Sequence, residues 1–371
     1  MFKIVRSKTT HYASFLMAAF IFAGCGGTTG QSSKDTSKLA TFGSNSNSNI
    51  LLGAGSTFVY PLFSKLFSEY AKESHVLVNY QSIGSGGGIL QLTNKTIDFG
   101  DSDAPLNDEQ TKKIGVPVLH IPMCAGAVVI SYNLPELKSK LKLTPDVLAN
   151  IFLGKITKWD DAQIKKINPG ATLPATDILI VHRSEGSGTT NIFTTYLSKV
   201  SADWNTKPGK GSAINWPAGI GGKGNEGVSG LVKQTPGAIG YIELAYAMQN
   251  NMTFADIQNK SGNFITPSVA STSAAGNITI PDDAKVSLSN TDAADGYPIS
   301  GLTWALIYKE QNYDGRNLMR AEKMLKMLWW NVHEGQKYCA GLDYAQLSPA
   351  AVTVAEKILK SATFDGKPIL P

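Results

Sequence analysis

Three stretches of this chain are built from residues that leave backbone and hydroxyl donors open to an anion. They are Gly53-Ala54-Gly55-Ser56-Thr57-Phe58, Gly84-Ser85-Gly86-Gly87-Gly88 and Arg183-Ser184-Glu185-Gly186-Ser187-Gly188-Thr189-Thr190. Each lies between a run that reads as a strand and a run that reads as a helix. The first N–H groups of a helix have no partner inside it, and the helix dipole adds partial positive charge there. Small side chains let an anion reach that backbone, and Ser and Thr add hydroxyl donors. One such joint is ordinary helix capping. Three in one chain describe a site for a small oxyanion held mainly by neutral dipoles.

Two charged residues refine the chemistry. Arg183 carries a planar, forked donor suited to two-point contact with an oxyanion. Asp103 lies in Asp98-Phe99-Gly100-Asp101-Ser102-Asp103-Ala104-Pro105, after a further strand-like run. A carboxylate beside an anion is useful when the anion carries a proton. It accepts hydrogen bonds only, so it would bond hydrogen phosphate and repel sulfate. The alternative for an Asp before Ala-Pro is a capping or turn role.

These joints require strands that stop and helices that start at set places, and the hydrophobic pattern provides them. Residues 49–52, 76–80, 97–100, 126–132, 178–181, 238–242 and 299–308 read as strands. Helical spacing runs through Leu62, Phe63, Leu66, Phe67 and Tyr70, through residues 88–94 and through 144–153 with Pro145 at its start. It recurs in Ile192, Phe193, Tyr196, Leu197 and Val200, in residues 243–248, and in Leu318, Ala321, Leu325, Leu328, Trp329 and Val332. Strands alternating with helices predict an α/β fold with mostly parallel sheets. Residues 265–290 are polar and read as loop or weak strand. About 320 globular residues exceed what one core usually holds, so two lobes are expected.

The amino terminus reads as a processing signal. Lys3, Arg6 and Lys8 precede the apolar run 13–23, too short for a bilayer span and of the length of a secretory signal. Phe-Ala-Gly-Cys at 22–25 resembles a bacterial lipobox, which implies cleavage after residue 24 and lipid on Cys25; Phe22 stands where that pattern usually has Leu. Losing three cations from a formal charge of +5 leaves a body near neutrality, without the clustered basic surface that nucleic acid requires. Residues 25–49, rich in Ser, Thr, Gly and Asn, read as a flexible tether. Cys124 and Cys339 fit a disulfide or two buried thiols equally well.

Enzymatic chemistry finds little support. Gly-x-Ser-x-Gly and the phosphate-binding loop of nucleotide hydrolases are absent, and His75, His120, His182 and His333 have no metal-ligand spacing. His182 sits at a strand end, where a structural role is expected. Trp329 and Trp330 belong to a packed helix, with Trp330 off its main face. Asp160, Asp161, Lys165 and Lys166 read as solvated helix surface, with a contact for a membrane partner as the alternative.

The three joints, the 98–106 motif, Leu-Gly-Lys-Ile-Thr-Lys-Trp-Asp-Asp at 153–161, Gly-Gly-Lys-Gly-Asn-Glu-Gly-Val at 221–228, Pro-Gly-Ala-Ile-Gly-Tyr-Ile-Glu at 236–243 and Leu-Asp-Tyr-Ala-Gln-Leu at 342–347 occur in one order. Together they resemble the phosphate-binding proteins of phosphate ABC importers, over nearly all of residues 50–371. The resemblance implies a type II periplasmic-binding fold: lobe I from 50–132 plus 299–371, lobe II from 133–298, and a hinge crossed twice. It implies that Thr57, Phe58 and Ser85 donate to phosphate, and that Asp103 accepts the phosphate proton. Arg183 would supply charge, and Ser187, Gly188 and Thr189 would close over the ligand. Glu185, where the family commonly has Asp, would orient Arg183. No cofactor, metal or catalytic residue is implied. The expected partners are inorganic phosphate and the membrane permease subunits, with the protein an exported, lipid-anchored monomer. A secreted phosphatase on the same scaffold and a receptor for sulfate or another tetrahedral anion are the alternatives.

Overall fold

The computed structural model describes residues 49–371. The expected signal sequence, the Cys25 anchor and all but the last residue of the tether lie outside the described residues. The chain begins with strand β1 (Ile50–Gly55), helix α1 (Tyr60–Ser74), β2 (Leu77–Ser82), α2 (Ser85–Thr93), β3 (Phe99–Ser102), α3 (Asp108–Ile114) and the long β4 (Val118–Tyr132). It continues through β5 (Lys142–Leu143), α4 (Pro145–Phe152), α5 (Ala162–Ile167), β6 (Leu179–Arg183), α6 (Gly188–Val200), α7 (Ala202–Thr206), β7 (Ile220–Gly222), α8 (Gly224–Gln234), β8 (Ala238–Glu243) and α9 (Leu244–Gln249). It closes with β9 (Asp256–Gln258), β10 (Phe264–Ile265), α10 (Val269–Ala275), β11 (Ser300–Tyr308), α11 (Leu318–Val332), α12 (Pro349–Lys360) and the ribbon β12 (Thr363–Phe364) and β13 (Lys367–Pro368).

Eight of these strands join in the order β2-β1-β3-β11-β4-β8-β6-β7. The expected parallel sheet holds at each flank, where β1 is parallel to β2 and β3, and β6 to β7 and β8. The centre differs: β11 runs antiparallel to β3 and β4, and β4 antiparallel to β8. The cause is β4, fifteen residues long, which changes partner along its length. Val118 to Ala127 pair with β11, and Val128 to Tyr132 with β8. Its first half was not legible in the sequence because Pro122, which lacks an N–H, reads as a strand breaker. A register shift between Thr303 and Trp304 of β11 passes over Met123 and accommodates the proline.

Each flank has its own aromatic core. Phe63, Phe67, Tyr80 and Phe99 pack edge-on and stacked at 4.8–6.2 Å on one side. Phe152, Phe193, Trp216 and Tyr241 do so at 4.6–6.2 Å on the other. Asp98 ties α11 to the edge of the first group. It pairs with Arg316 and takes a two-point contact from Arg320 at 2.6 and 2.7 Å, and it accepts the Leu52 N–H at 2.7 Å. In α11, Trp330 is buried and donates to Glu73 at 2.9 Å, whereas Leu318 is exposed and Trp329 half-buried against His333. Ala321, Leu325, Leu328 and Val332 of the expected face are buried, but the buried face extends round to Met324, Met327 and Asn331, which turns Trp330 rather than Trp329 inward. The polar stretch read as loop contains α10, which a Ser268–Ser271 capping box starts. Cys124 and Cys339 are both buried free thiols. No described helix is long and apolar enough to cross a membrane.

Candidate functional site

The three joints converge. The first leads from β1 into α1, whose helical hydrogen bonding begins at Tyr60, so Ser56 to Val59 form a bend ahead of the helix. The second turns at Gly84, whose φ of 87° suits glycine, directly into α2. The third is capped by Ser187, whose Oγ accepts the Thr190 N–H at 3.1 Å as α6 begins. The second and third touch: Gly86 N–H donates to the Gly186 carbonyl at 2.9 Å, and Gly188 N–H to Ser85 Oγ at 3.1 Å. Gly188 must be glycine, because a Cβ there would lie 2.5 Å from Asp103 Oδ2.

The first and third joints are linked by a residue that sequence reasoning did not single out. Asn225, second in α8, donates from Nδ2 to Thr57 Oγ1 at 2.7 Å and to Thr189 Oγ1 at 3.3 Å. Its backbone N–H also reaches Thr57 Oγ1, at 3.2 Å, and its Oδ1 accepts the Glu243 N–H at 2.9 Å. Arg183 Nη1 donates to Thr189 Oγ1 at 3.2 Å, while its Nε donates to Glu185 Oε1 at 2.8 Å and Nη2 contacts the same oxygen. Glu185 Oε1 is itself fixed by the Gly224 N–H at 3.1 Å. Thr57, Ser85, Asp103, Arg183, Ser187 and Thr189 are all at most 3% exposed.

Asp103 sits in this group with both carboxylate oxygens engaged. Ser56 Oγ donates to Oδ2 at 2.7 Å, and Thr303 Oγ1 of β11 lies 2.7 Å from Oδ1. Burial pushes its acid up to about 6, against the pull of the Ser56 and Thr303 hydroxyls and the charge of Arg183. The Phe58 amide, expected to face a ligand, donates instead to Ser56 Oγ at 2.9 Å. The neighbouring hydroxyl folds back over it, a competition common to Ser near turns. The Phe58 ring is fully buried, edge-on to Tyr344 at 6.3 Å, and Tyr344 donates to the Phe58 carbonyl at 2.6 Å. Tyr246 holds the Thr57 carbonyl in the same way, at 2.6 Å.

Beside this group opens a cleft of about 440 Å³, lined by Ser85, Asp103, Asn191 and Ser212, with Lys210 and Lys285 on its walls. His182 does not enter the site. Its ring stacks on Trp216 at 4.9 Å, and its Nδ1 contacts the Arg183 carbonyl at 3.0 Å. Among the described residues, no group of three or more His, Cys, Asp or Glu could hold a metal ion. Ser56 stood inside a motif already singled out and Asn225 inside Gly-Gly-Lys-Gly-Asn-Glu. Thr303, two hundred residues from Asp103, carried no sequence signal.

Two α/β halves joined through one long strand, with helix starts from both halves meeting in a buried polar group, define a two-lobed periplasmic-binding-protein fold. A PBP superfamily domain matches residues 40–326. The phosphate-binding protein PstS of Xylella fastidiosa is 41% identical over 359 residues, covering 93% of this chain and 97% of that protein. PstS of Haemophilus influenzae is 40% identical over 317 residues, covering 84% and 93%. The chain belongs to the PstS phosphate-binding protein family. Among solved structures, a high affinity periplasmic phosphate-binding protein bound with phosphate superposes with a TM-score of 0.67 at 19% identity, covering 83% of this chain and 93% of that one. A phosphate binding protein from Stenotrophomonas maltophilia gives 0.62 at 17% identity, with the same coverage. Both likenesses concern the fold.

Proposed function

We propose that this protein binds inorganic phosphate between its lobes and delivers it to the permease of an ABC importer. The observation that carries the reading is the gathering of Thr57, Ser85, Asp103, Arg183 and Ser187 to Thr189 from three strand-to-helix joints into one buried group. Arg183 supplies the one full positive charge, held in plane by Glu185. The hydroxyls of Thr57, Ser85 and Thr189 and the amides of Phe58, Ser187, Gly188 and Thr189 supply neutral donors, some exchanging their protein partners for the ligand. Low dielectric around these dipoles strengthens each contact. Asp103 accepts the proton of hydrogen phosphate and repels an anion that has none.

Lobe I then comprises 50–132 plus 299–371 and lobe II 133–298. The hinge lies where the chain leaves β4 after Tyr132 and where it enters β11, and closure is a rotation about these two crossings. The cleft walled by Lys210 and Lys285 is the approach for the anion, drawn in by their charge. The protein acts as an exported monomer, lipid-anchored at Cys25, and the closed form is what the permease recognises. Binding without catalysis is the reading favoured over a phosphatase. Ser187 spends its hydroxyl on the α6 cap, and His182 lies against Trp216, out of reach as a base.

Calorimetric titration with phosphate and with sulfate at neutral pH tests the proposal. Tight, saturable binding of one phosphate per chain, with sulfate far weaker, is expected. Equal binding of both anions, or turnover of a chromogenic phosphate ester that Ser187→Ala abolishes, would overturn it.

A further inference from the structure

Behind Asp103 lies a second carboxyl for which the phosphate site has no evident use. Asp101 is fully buried on β3. Thr303 Oγ1 lies 2.8 Å from Asp101 Oδ1 and 2.7 Å from Asp103 Oδ1. A hydroxyl carries one proton, so it can donate to one of these carboxyls and must accept from the other. Ser56 already donates to the far oxygen of Asp103. The far oxygen of Asp101, Oδ2, is buried with no hydrogen-bond partner. An ionised Asp101 would place a second charge one hydroxyl away from Asp103 and leave an unsolvated oxygen on it. A protonated Asp101 removes the charge and supplies the hydrogen bond that Thr303 must accept.

We infer that Asp101 is a neutral acid that donates through Thr303 to Asp103, positioning Asp103 as the acceptor for the phosphate proton and setting an alkaline limit to phosphate binding. The inference rests on the phosphate-binding reading and deepens it. The groups facing Asp101 agree with a neutral acid. Burial first, and then the Asp103 charge, push the Asp101 acid well above the usual carboxyl range, with the Thr303 contact opposing. Burial pushes Tyr80 of β2 and the Cys124 thiol of β4 up, so they bring no charge at neutral pH. Burial also pushes the Glu243 acid, on the far side of Cys124, well above its ordinary range. Arg183 acts on Asp103, whose ionised form it favours. When Asp101 loses its proton, one hydroxyl proton must serve two carboxylates, and the added charge repels the bound anion. By linkage, bound phosphate makes that proton harder to remove.

Phosphate titrations of the full chain, of Asp101→Asn and of Asp101→Ala, at about pH 7 and about pH 10, test this, since one unit of coupled titration is a factor of ten. The wild-type chain should weaken by about tenfold or more between the two pH values, and each variant by less than about threefold. A wild-type affinity that does not fall, or variants that fall in parallel with it, overturns the inference. Absence of phosphate binding at neutral pH would instead overturn the functional reading beneath it. Should neither variant fold, infrared titration of the wild-type chain decides. The carbonyl band of a buried carboxylic acid must lose intensity at the pH where affinity falls; an affinity that falls while the band persists sinks the proposal.

Discussion

The side chain of Asn225 donates to the hydroxyl of Thr57 across 2.7 Å, joining the start of α8 to the bend that follows β1, 168 residues earlier. The same amide reaches Thr189 and the Glu243 N–H. Asn225 therefore organises donors from both halves of the sheet without being one of the joint residues itself.

Replacing Asn225 by Ala should weaken phosphate binding by about ten- to a hundredfold, at about 1.4 kcal/mol per tenfold. It should also lower stability, since the buried Glu243 N–H loses its partner at a cost of about 1–3 kcal/mol. Calorimetry and thermal unfolding read the two effects separately. Unchanged affinity would show that Thr57 needs no such holder.

Asp103→Asn should narrow the preference for phosphate over sulfate, because a carboxamide can donate to an unprotonated oxygen where a carboxylate repels it. The wild-type protein carries its own control. Its Asp103 acid, pushed by burial to about 6, takes up a proton as pH falls through that value. Sulfate affinity should therefore rise below about pH 6 in the wild-type chain and stay flat in the variant. Competition titrations at several pH values check both slopes.

Gly188→Ala puts a methyl group 2.5 Å from Asp103 Oδ2 and 2.6 Å from the Asp103 amide nitrogen. Relief requires the two lobes to part, so phosphate affinity should fall by about a hundredfold while the separate cores stay intact. Gly230→Ala in α8, where a Cβ meets nothing within 4 Å, is the matched control and should raise stability by up to about 1 kcal/mol. Equal binding by both variants would show that the contact between Gly188 and Asp103 is not required in the bound form.

His120 ties stability to acid. Its Nε2 accepts the Leu106 N–H at 3.1 Å, and burial holds its pKa down to about 4. The unfolded chain takes up this proton near the ordinary histidine value of about 6.5, the folded chain only near 4. The resulting stability is complete above about pH 6.5 and is lost as pH falls toward about 4, to a total of roughly 3 kcal/mol. His120→Gln, which can still accept the Leu106 N–H, should flatten that part of the curve in chemical unfolding across pH 4–7. An equally steep variant would assign the acid sensitivity to other groups.

Phosphate chemistry was legible in the sequence because the residues that start helices are also those that hold anions. Gly, Ser and Thr at 53–58, 84–88 and 183–190 announce bare amides wherever they stand, and Arg183 and Asp103 announce the charges around them. Alternating periodicity likewise gave nearly every flank strand and the helices α1, α4, α6 and α11, since local spacing draws an apolar stripe, although packing decided that Trp330 and not Trp329 turns inward. What three-dimensional assembly decided was partnership. That β4 serves both halves, that a bulge at Met123 lets Pro122 stay in that strand, and that Phe58 donates to Ser56 depend on which backbone lies opposite. The links from Asn225 to Thr57 and from Thr303 to Asp101 and Asp103 join residues about 170 to 200 positions apart. A hydrogen bond depends on distance and direction in space, which no spacing along the chain records.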